Sequence, residues 1–139
     1  MKMDSQIPEM MLAPCGINCY ACYAHVRPKN VCGGCRGAEE SMPKYCRQCA
    51  IKACAQNLGI DFCVDCPTFP CQRIKRLDKR YREKYHTSLI DNLQRMKTIG
   101  LPAYLIEEQA KWSCSACGGV VSIHSRLCSE CGHALSDDE

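Results

Sequence analysis

The sequence predicts a small α+β fold stabilised by metal: an irregular cysteine-rich module of zinc knuckles, a short helical segment and a C-terminal zinc ribbon. Three observations predict it. Cysteine supplies 15 of 139 residues, the density at which it forms a framework rather than packing a core. With those set aside, the hydrophobic content of 46% drops to roughly a third, a lean supply for conventional burial. The cysteines also fall into two blocks, one spanning 15–71 and one spanning 114–131, with none between. The expected organisation is an N-terminal arm (1–13), a cysteine-rich metal-binding module (14–71), a helical segment (72–111), a zinc ribbon (112–135) and an acidic tail (136–139).

The N-terminal stretch "MKMDSQIPEMMLAPCG" carries Asp4, Pro8 and Glu9, and its longest apolar run, Met10 to Ala13, is too short for an export signal, whose core needs roughly 7 residues or more. No stretch approaches the ~20 apolar residues of a membrane span. The expected location is therefore cytoplasmic, where clustered cysteines mean metal or redox chemistry rather than disulfides.

In the first block, "CGINCYAC" places Cys15, Cys19 and Cys22 at C-x-x-x-C-x-x-C, the spacing that holds a four-iron cluster in radical S-adenosylmethionine enzymes. The chain is short of the roughly 200 residues that the housing barrel needs. Eight further cysteines follow closely, and Ala21 stands where those enzymes commonly place an aromatic residue. The triad reads as structural. "YCRQCAIKAC" and "FCVDCPTFPC" then repeat the pattern aromatic-C-x-x-C-x-x-x-x-C, matching Cys46, Cys49 and Cys54 to Cys63, Cys66 and Cys71. Paired C-x-x-C knuckles suit tetrahedral zinc. The simplest assignment uses Cys46, Cys49, Cys63 and Cys66 for one ion and Cys19, Cys22, Cys32 and Cys35 for another. Cys15, Cys54 and Cys71 remain, and His25 could complete a third site. Another partition keeps each repeat's three cysteines together, and sequence does not separate the two. An iron-sulfur cluster is the competing cofactor here, because thiolates suit both metals.

Helix follows. Ile74, Leu77, Tyr81 and Tyr85 form one stripe in "CQRIKRLDKRYREKYH", with basic residues on the other faces. In "TSLIDNLQRMKTIG", Ser88 is an N-cap, Leu89, Leu93 and Met96 form the stripe, and Gly100 is the stop. A third helix starts near Pro102 and runs towards Trp112.

"CSACGGVVSIHSRLCSECG" gives Cys114, Cys117, Cys128 and Cys131 as two C-x-x-C pairs, each followed by glycine. The intervening "VVSIH" alternates as a hairpin strand does. Four thiolates in facing knuckles make a closed zinc site, which leaves His124 and His133 as surplus, exposed polar residues.

"APCGINCYAC", the two repeats, "QRIKRLDKRYREKY" and "WSCSACGGVVSIHSRLCSECG" together resemble the domain of unknown function 3795 family, cysteine-rich proteins of prokaryotes. The resemblance spans 12–134 and includes Pro14, Gly16, Phe69 and Pro70. It implies metal binding in the cytoplasm and brings no activity with it.

The formal charge of +3 counts thiols as neutral; fifteen thiolates around four zinc ions would bring it to about −4. Locally, Arg73, Arg76, Lys79 and Arg80 lie in a basic stripe that could contact nucleic acid, although its first reading is a solvated helix face. No hydrolase triad, phosphate-binding glycine loop or carboxylate pair is legible, and no residue is assigned a catalytic role. The expected function is a zinc-binding, non-catalytic interaction module for protein or nucleic acid. The alternatives are an iron-sulfur protein with a redox or enzyme-accessory role, or a thiol and metal-handling protein.

Overall fold

The computed structural model describes residues 1–135, and the acidic tail at 136–139 lies outside the described residues. Six α-helical segments carry the architecture: α1 (Tyr23–Val26), α2 (Lys44–Arg47), α3 (Ala50–Leu58), α4 (Gln72–Tyr85), α5 (Leu89–Ile99) and α6 (Leu101–Trp112). Short 3₁₀ turns at Cys19–Ala21 and Cys63–Asp65 present cysteines between them.

The three long C-terminal helices form where apolar periodicity places them. Ile74 and Tyr81 of α4, Leu89, Leu93 and Met96 of α5, and Tyr104, Leu105 and Trp112 of α6 are buried together. The Ser88 hydroxyl accepts from the Asp91 backbone N–H at 3.1 Å and caps α5. Gly100, at φ 89°, ends α5 and lets α6 start at once with Pro102 in its first turn. The α5–α6 corner is clamped outside by the Arg95 guanidinium, which donates to both carboxylate oxygens of Glu107 at 3.0 Å.

Asp78 ties α4 to α5. It is 4% exposed, and its carboxylate accepts from the Ile90 backbone N–H at 3.0 Å, the Ser88 hydroxyl at 2.8 Å and Arg82 Nε at 2.7 Å. An acidic side chain from one helix thus satisfies a backbone donor at the next helix's N-terminus, where the dipole favours negative charge.

The core is more continuous than composition suggests. Ile7, Met11 and Leu12 pack with the helices and with Val120, Val121 and Ile123 in one buried cluster, so the N-terminal arm contributes side chains to the interior. A small second cluster holds Ala24, Cys32 and Met42. No helix is long and apolar enough to cross a membrane among the described residues.

The expected α+β class with a zinc ribbon is corrected by the structure: among the described residues there is no β-strand, only isolated bridges such as Ser113 with Val120 and Val121 with Cys128. Backbone donors explain why. A ribbon hairpin would spend the N–H groups of "VVSIH" on its own ladder, but Val120 donates to Met1 O at 2.8 Å and Ile123 to Ala21 O at 2.9 Å. Distant segments capture the bonds that would propagate a sheet.

Asp78→Ala is expected to destabilise the protein by roughly 2 kcal/mol, because it strands a buried backbone donor and removes charge-assisted bonds. Burial alone would raise the Asp78 pKa, but Ile90, Ser88 and Arg82 hold it below the ordinary carboxylate value. Its contribution is therefore complete above the unfolded carboxylate range and disappears as pH falls through the lowered folded pKa. Denaturant melts of both chains across acid pH should converge as the carboxylate protonates.

Candidate metal centres

The Cys114, Cys117, Cys128 and Cys131 sulfurs lie within 4.8 Å of one another, forming the group of potential metal ligands that gathers most tightly among the described residues. Cys114 and Cys131 Sγ are 3.7 Å apart and Cys117 and Cys128 Sγ 3.5 Å apart. Disulfide sulfurs would be about 2.05 Å apart. Metal–sulfur bonds of about 2.3 Å in a tetrahedron put sulfurs about 3.8 Å apart. The donor set and its spacing therefore fit one tetrahedral metal ion.

Two equivalent turns build this group. Cys114 N donates to Gly119 O at 2.8 Å and Gly118 N to Cys114 O at 2.9 Å; fourteen residues on, Cys128 N donates to His133 O at 2.9 Å and Gly132 N to Cys128 O at 3.0 Å. In each turn a backbone N–H also donates to the first sulfur, Ala116 to Cys114 at 3.4 Å and Glu130 to Cys128 at 3.3 Å. Such bonds favour thiolate over thiol. Burial opposes ionisation of Cys128, but the Cys131 and Glu130 amides and the Cys117 and Cys114 thiols outweigh it and lower its pKa to about 6. At Cys131 a backbone bond involving His133 favours the thiolate, but the neighbouring sulfurs hold its pKa up at about 11. Without a metal the four cannot all ionise; a cation removes that conflict.

Neighbours fix the two turns to the core. Val121 N donates to Trp112 O at 2.8 Å, and Arg126 donates from its guanidinium to Tyr85 O at 3.1 Å. His124 is half-buried rather than an exposed surplus residue, and burial lowers its pKa. Its Nε2 shares a 2.9 Å hydrogen bond with the Tyr81 hydroxyl, and its ring packs edgewise against Tyr23 and Tyr85. His133 is exposed and contributes its backbone carbonyl.

The eleven N-terminal cysteines fall into neighbourhoods that the paired-knuckle assignment does not anticipate. Burial first, then Cys35, Cys22, Cys32 and Cys49, push Cys46 up to about 12. Burial first, then Cys71, Cys54, Cys66 and Cys49, push Cys63 up to about 11. Cys15 is buried beside Cys35, Cys49 and Cys63. Cys46 thus lies on the Cys22 and Cys32 side, while Cys49 and Cys54 of the same repeat neighbour Cys63 of the other. His25 shares a 2.7 Å hydrogen bond between Nδ1 and Cys32 O, the kind of backbone contact that orients an imidazole and leaves Nε2 available to a metal.

Counter-charges accompany these sulfurs. Lys52 is 7% exposed, and its ammonium donates to the Met42 thioether at 3.5 Å. A buried ammonium is costly without anionic partners, and thiolates supply them. The Cys19 thiol donates to Cys35 at 3.9 Å; this bond, then Lys52 and Arg36, offset burial and bring Cys35 down to about 7. Arg36 also reaches Leu12 O at 3.2 Å and Asp61 O at 2.5 Å. Neither cation is marked by any local pattern in the sequence. Arg73, Arg76, Lys79 and Arg80 are exposed on α4.

Fold and site define a helical, cysteine-rich protein with a four-cysteine group able to hold a metal ion. Residues 11–76, just under half of the chain, match the model of the family described as Protein of unknown function (DUF3795), a match that supports membership of that family. The matched segment contains the first cysteine block and ends before the four-cysteine group, so it covers the first half of the resemblance read from the sequence. No curated protein and no solved structure matches the chain.

Gly119 allows its turn to close on the sulfurs. A Cβ there would stand 2.7 Å from Cys128 Sγ and 2.8 Å from Glu130 Cγ. Gly119→Ala is expected to weaken metal binding at least tenfold in a competition titration with a chromophoric chelator, with the α4–α6 helical signal retained. Unchanged affinity would show that the turn has room to move.

Proposed function

We propose that this protein is a zinc-dependent, non-catalytic module that presents the basic face of α4 to a polyanionic partner, with nucleic acid as the partner class. The observation that carries this reading is the pairing of a four-sulfur group, which leaves a bound zinc no open position for substrate, with an exposed basic helix face. Arg73, Lys75, Arg76 and Arg80 make no ion pair among the described residues, while Lys79 and Glu83 approach only to 4.0 Å. Zinc is supported by four thiolates at tetrahedral spacing. Through the His124 contacts with Tyr81 and Tyr85, the four-cysteine segment packs against the opposite face of the same helix.

Tyr81 is buried and Tyr85 is packed against His124, so neither ring is presented for base stacking. Recognition would therefore act on phosphates, without reading sequence. Fluorescence anisotropy with a labelled single-stranded oligonucleotide tests this directly. Binding should weaken linearly in log affinity against log salt, and the triple variant Arg73→Gln, Arg76→Gln, Arg80→Gln should flatten that slope by roughly 2–3. No binding at low salt, or a slope unaltered in the variant, would overturn the proposed partner class.

A further inference from the structure

Cys54, Cys63, Cys66 and Cys71 open onto one cavity of about 300 Å³ between α3 and the start of α4. We propose that these four cysteines ligate a [4Fe–4S] cluster in that cavity, a centre separate from the Cys114 group. Tertiary structure assembles the set: Cys54 comes from the body of α3, Cys63 and Cys66 from the 3₁₀ turn and its end, and Cys71 from the residue before α4. One cysteine of the first repeat therefore joins all three of the second.

Size separates this centre from a single-ion site. The Cys114 group closes to 4.8 Å, whereas the sulfurs around the cavity do not gather so tightly. A single tetrahedral ion draws its sulfurs together until no space remains, while a cube of iron and sulfide holds its four thiolates apart and fills the volume between them. The cavity has room for several waters, yet Ile51, Leu58, Ile60 and Phe69 on its wall offer water little hydrogen bonding.

The polar groups present suit a negatively charged cluster. Cys71 occupies the N-cap position of the fourteen-residue α4 without its side chain capping the helix, so its sulfur is free for iron while the positive end of the helix dipole faces the centre. The Thr68 hydroxyl lies 3.2 Å from Cys66 Sγ, within reach to donate to a coordinated sulfur, a contact that tunes cluster potential. Arg73 stands at the cavity edge with positive charge. The site is also anchored to the remainder of the fold, by Cys63 N donating to Pro14 O at 2.9 Å and by Lys97 Nζ paired with Asp65 at 2.6 Å.

The full-length chain, purified without oxygen and reconstituted with ferric iron, sulfide and dithiothreitol as the reductant that brings half of the iron to the ferrous state, should bind roughly four iron and four sulfide per chain. Iodoacetamide footprinting of the unmutated protein by mass spectrometry should then show Cys54, Cys63, Cys66 and Cys71 becoming protected together on iron loading. Cys54→Ser and Cys71→Ser should each lose at least half of the iron while keeping the metal at the Cys114 group, and Cys114→Ser should keep the iron. Failure to take up iron and sulfide would overturn the proposal. So would protection of a different cysteine set, or protection of these four by zinc alone. None of these results bears on oligonucleotide binding by α4, so the two readings fail separately.

Discussion

The burial of crowded sulfurs, compounded by their mutual repulsion, is the constraint on which this structure depends. Burial and neighbouring thiolates push the pKa values of Cys22 and Cys63 to about 11 and of Cys46 to about 12. Cys15 is raised well above the ordinary thiol value by the same two causes. A metal-free chain near neutral pH must therefore keep most of these groups protonated, as weakly bonding thiols. A bound cation reverses the balance: each sulfur loses its proton, the repulsion becomes attraction to a shared centre, and loops with little apolar content acquire a fixed geometry. The buried ammonium of Lys52 and the guanidinium of Arg36 are placed where that negative charge would accumulate.

Coordination and apolar packing reinforce each other. The cluster that contains Ile74, Leu93 and Leu105 also contains Cys15, Cys19, Cys114 and Cys128. Trp112 is 1% exposed at the end of α6, two residues before the first ligand of the four-cysteine group. Val120 and Val121 fill the core from the loop that joins the two cysteine pairs. A metal ion held by the four cysteines would fix that loop and, with it, one wall of the helical core. The lean composition is workable because a few cysteine-bearing loops complete the interior that the helices begin.

Much of the helical half is legible in the sequence because periodicity and capping are local properties: Ser88, Gly100 and Pro102 mark their boundaries, and Ile74, Leu93 and Met96 mark the buried faces. The cysteine pairs at 114–131 are equally legible as a compact ligand group. The strand character of "VVSIH" is not, because the Val120, Val121 and Ile123 donors go to Met1, Trp112 and Ala21, partners no local pattern reveals. The α3 helix is hidden for a different reason. Ala50, Ala53, Ala55 and the left-handed Gly59 signal a helix and its end, but the cysteine repeat across 46–54 suggests a knuckle instead. The fold also sets Cys54 beside Cys63, a contact that the simplest pairing of Cys46 and Cys49 with Cys63 and Cys66 leaves unused. Asp78 and Lys52 look like ordinary surface charges in sequence, and only tertiary contacts bury them.

The most direct test uses the single tryptophan. Trp112 emission and the metal content of anaerobically purified protein should be followed together while a strong chelator strips the ions. Coordination as the organising interaction requires emission to shift to longer wavelength in step with metal loss, together with a broad, weakened thermal transition. A metal-free chain whose Trp112 keeps its buried emission and whose cooperative melt is unchanged would contradict it.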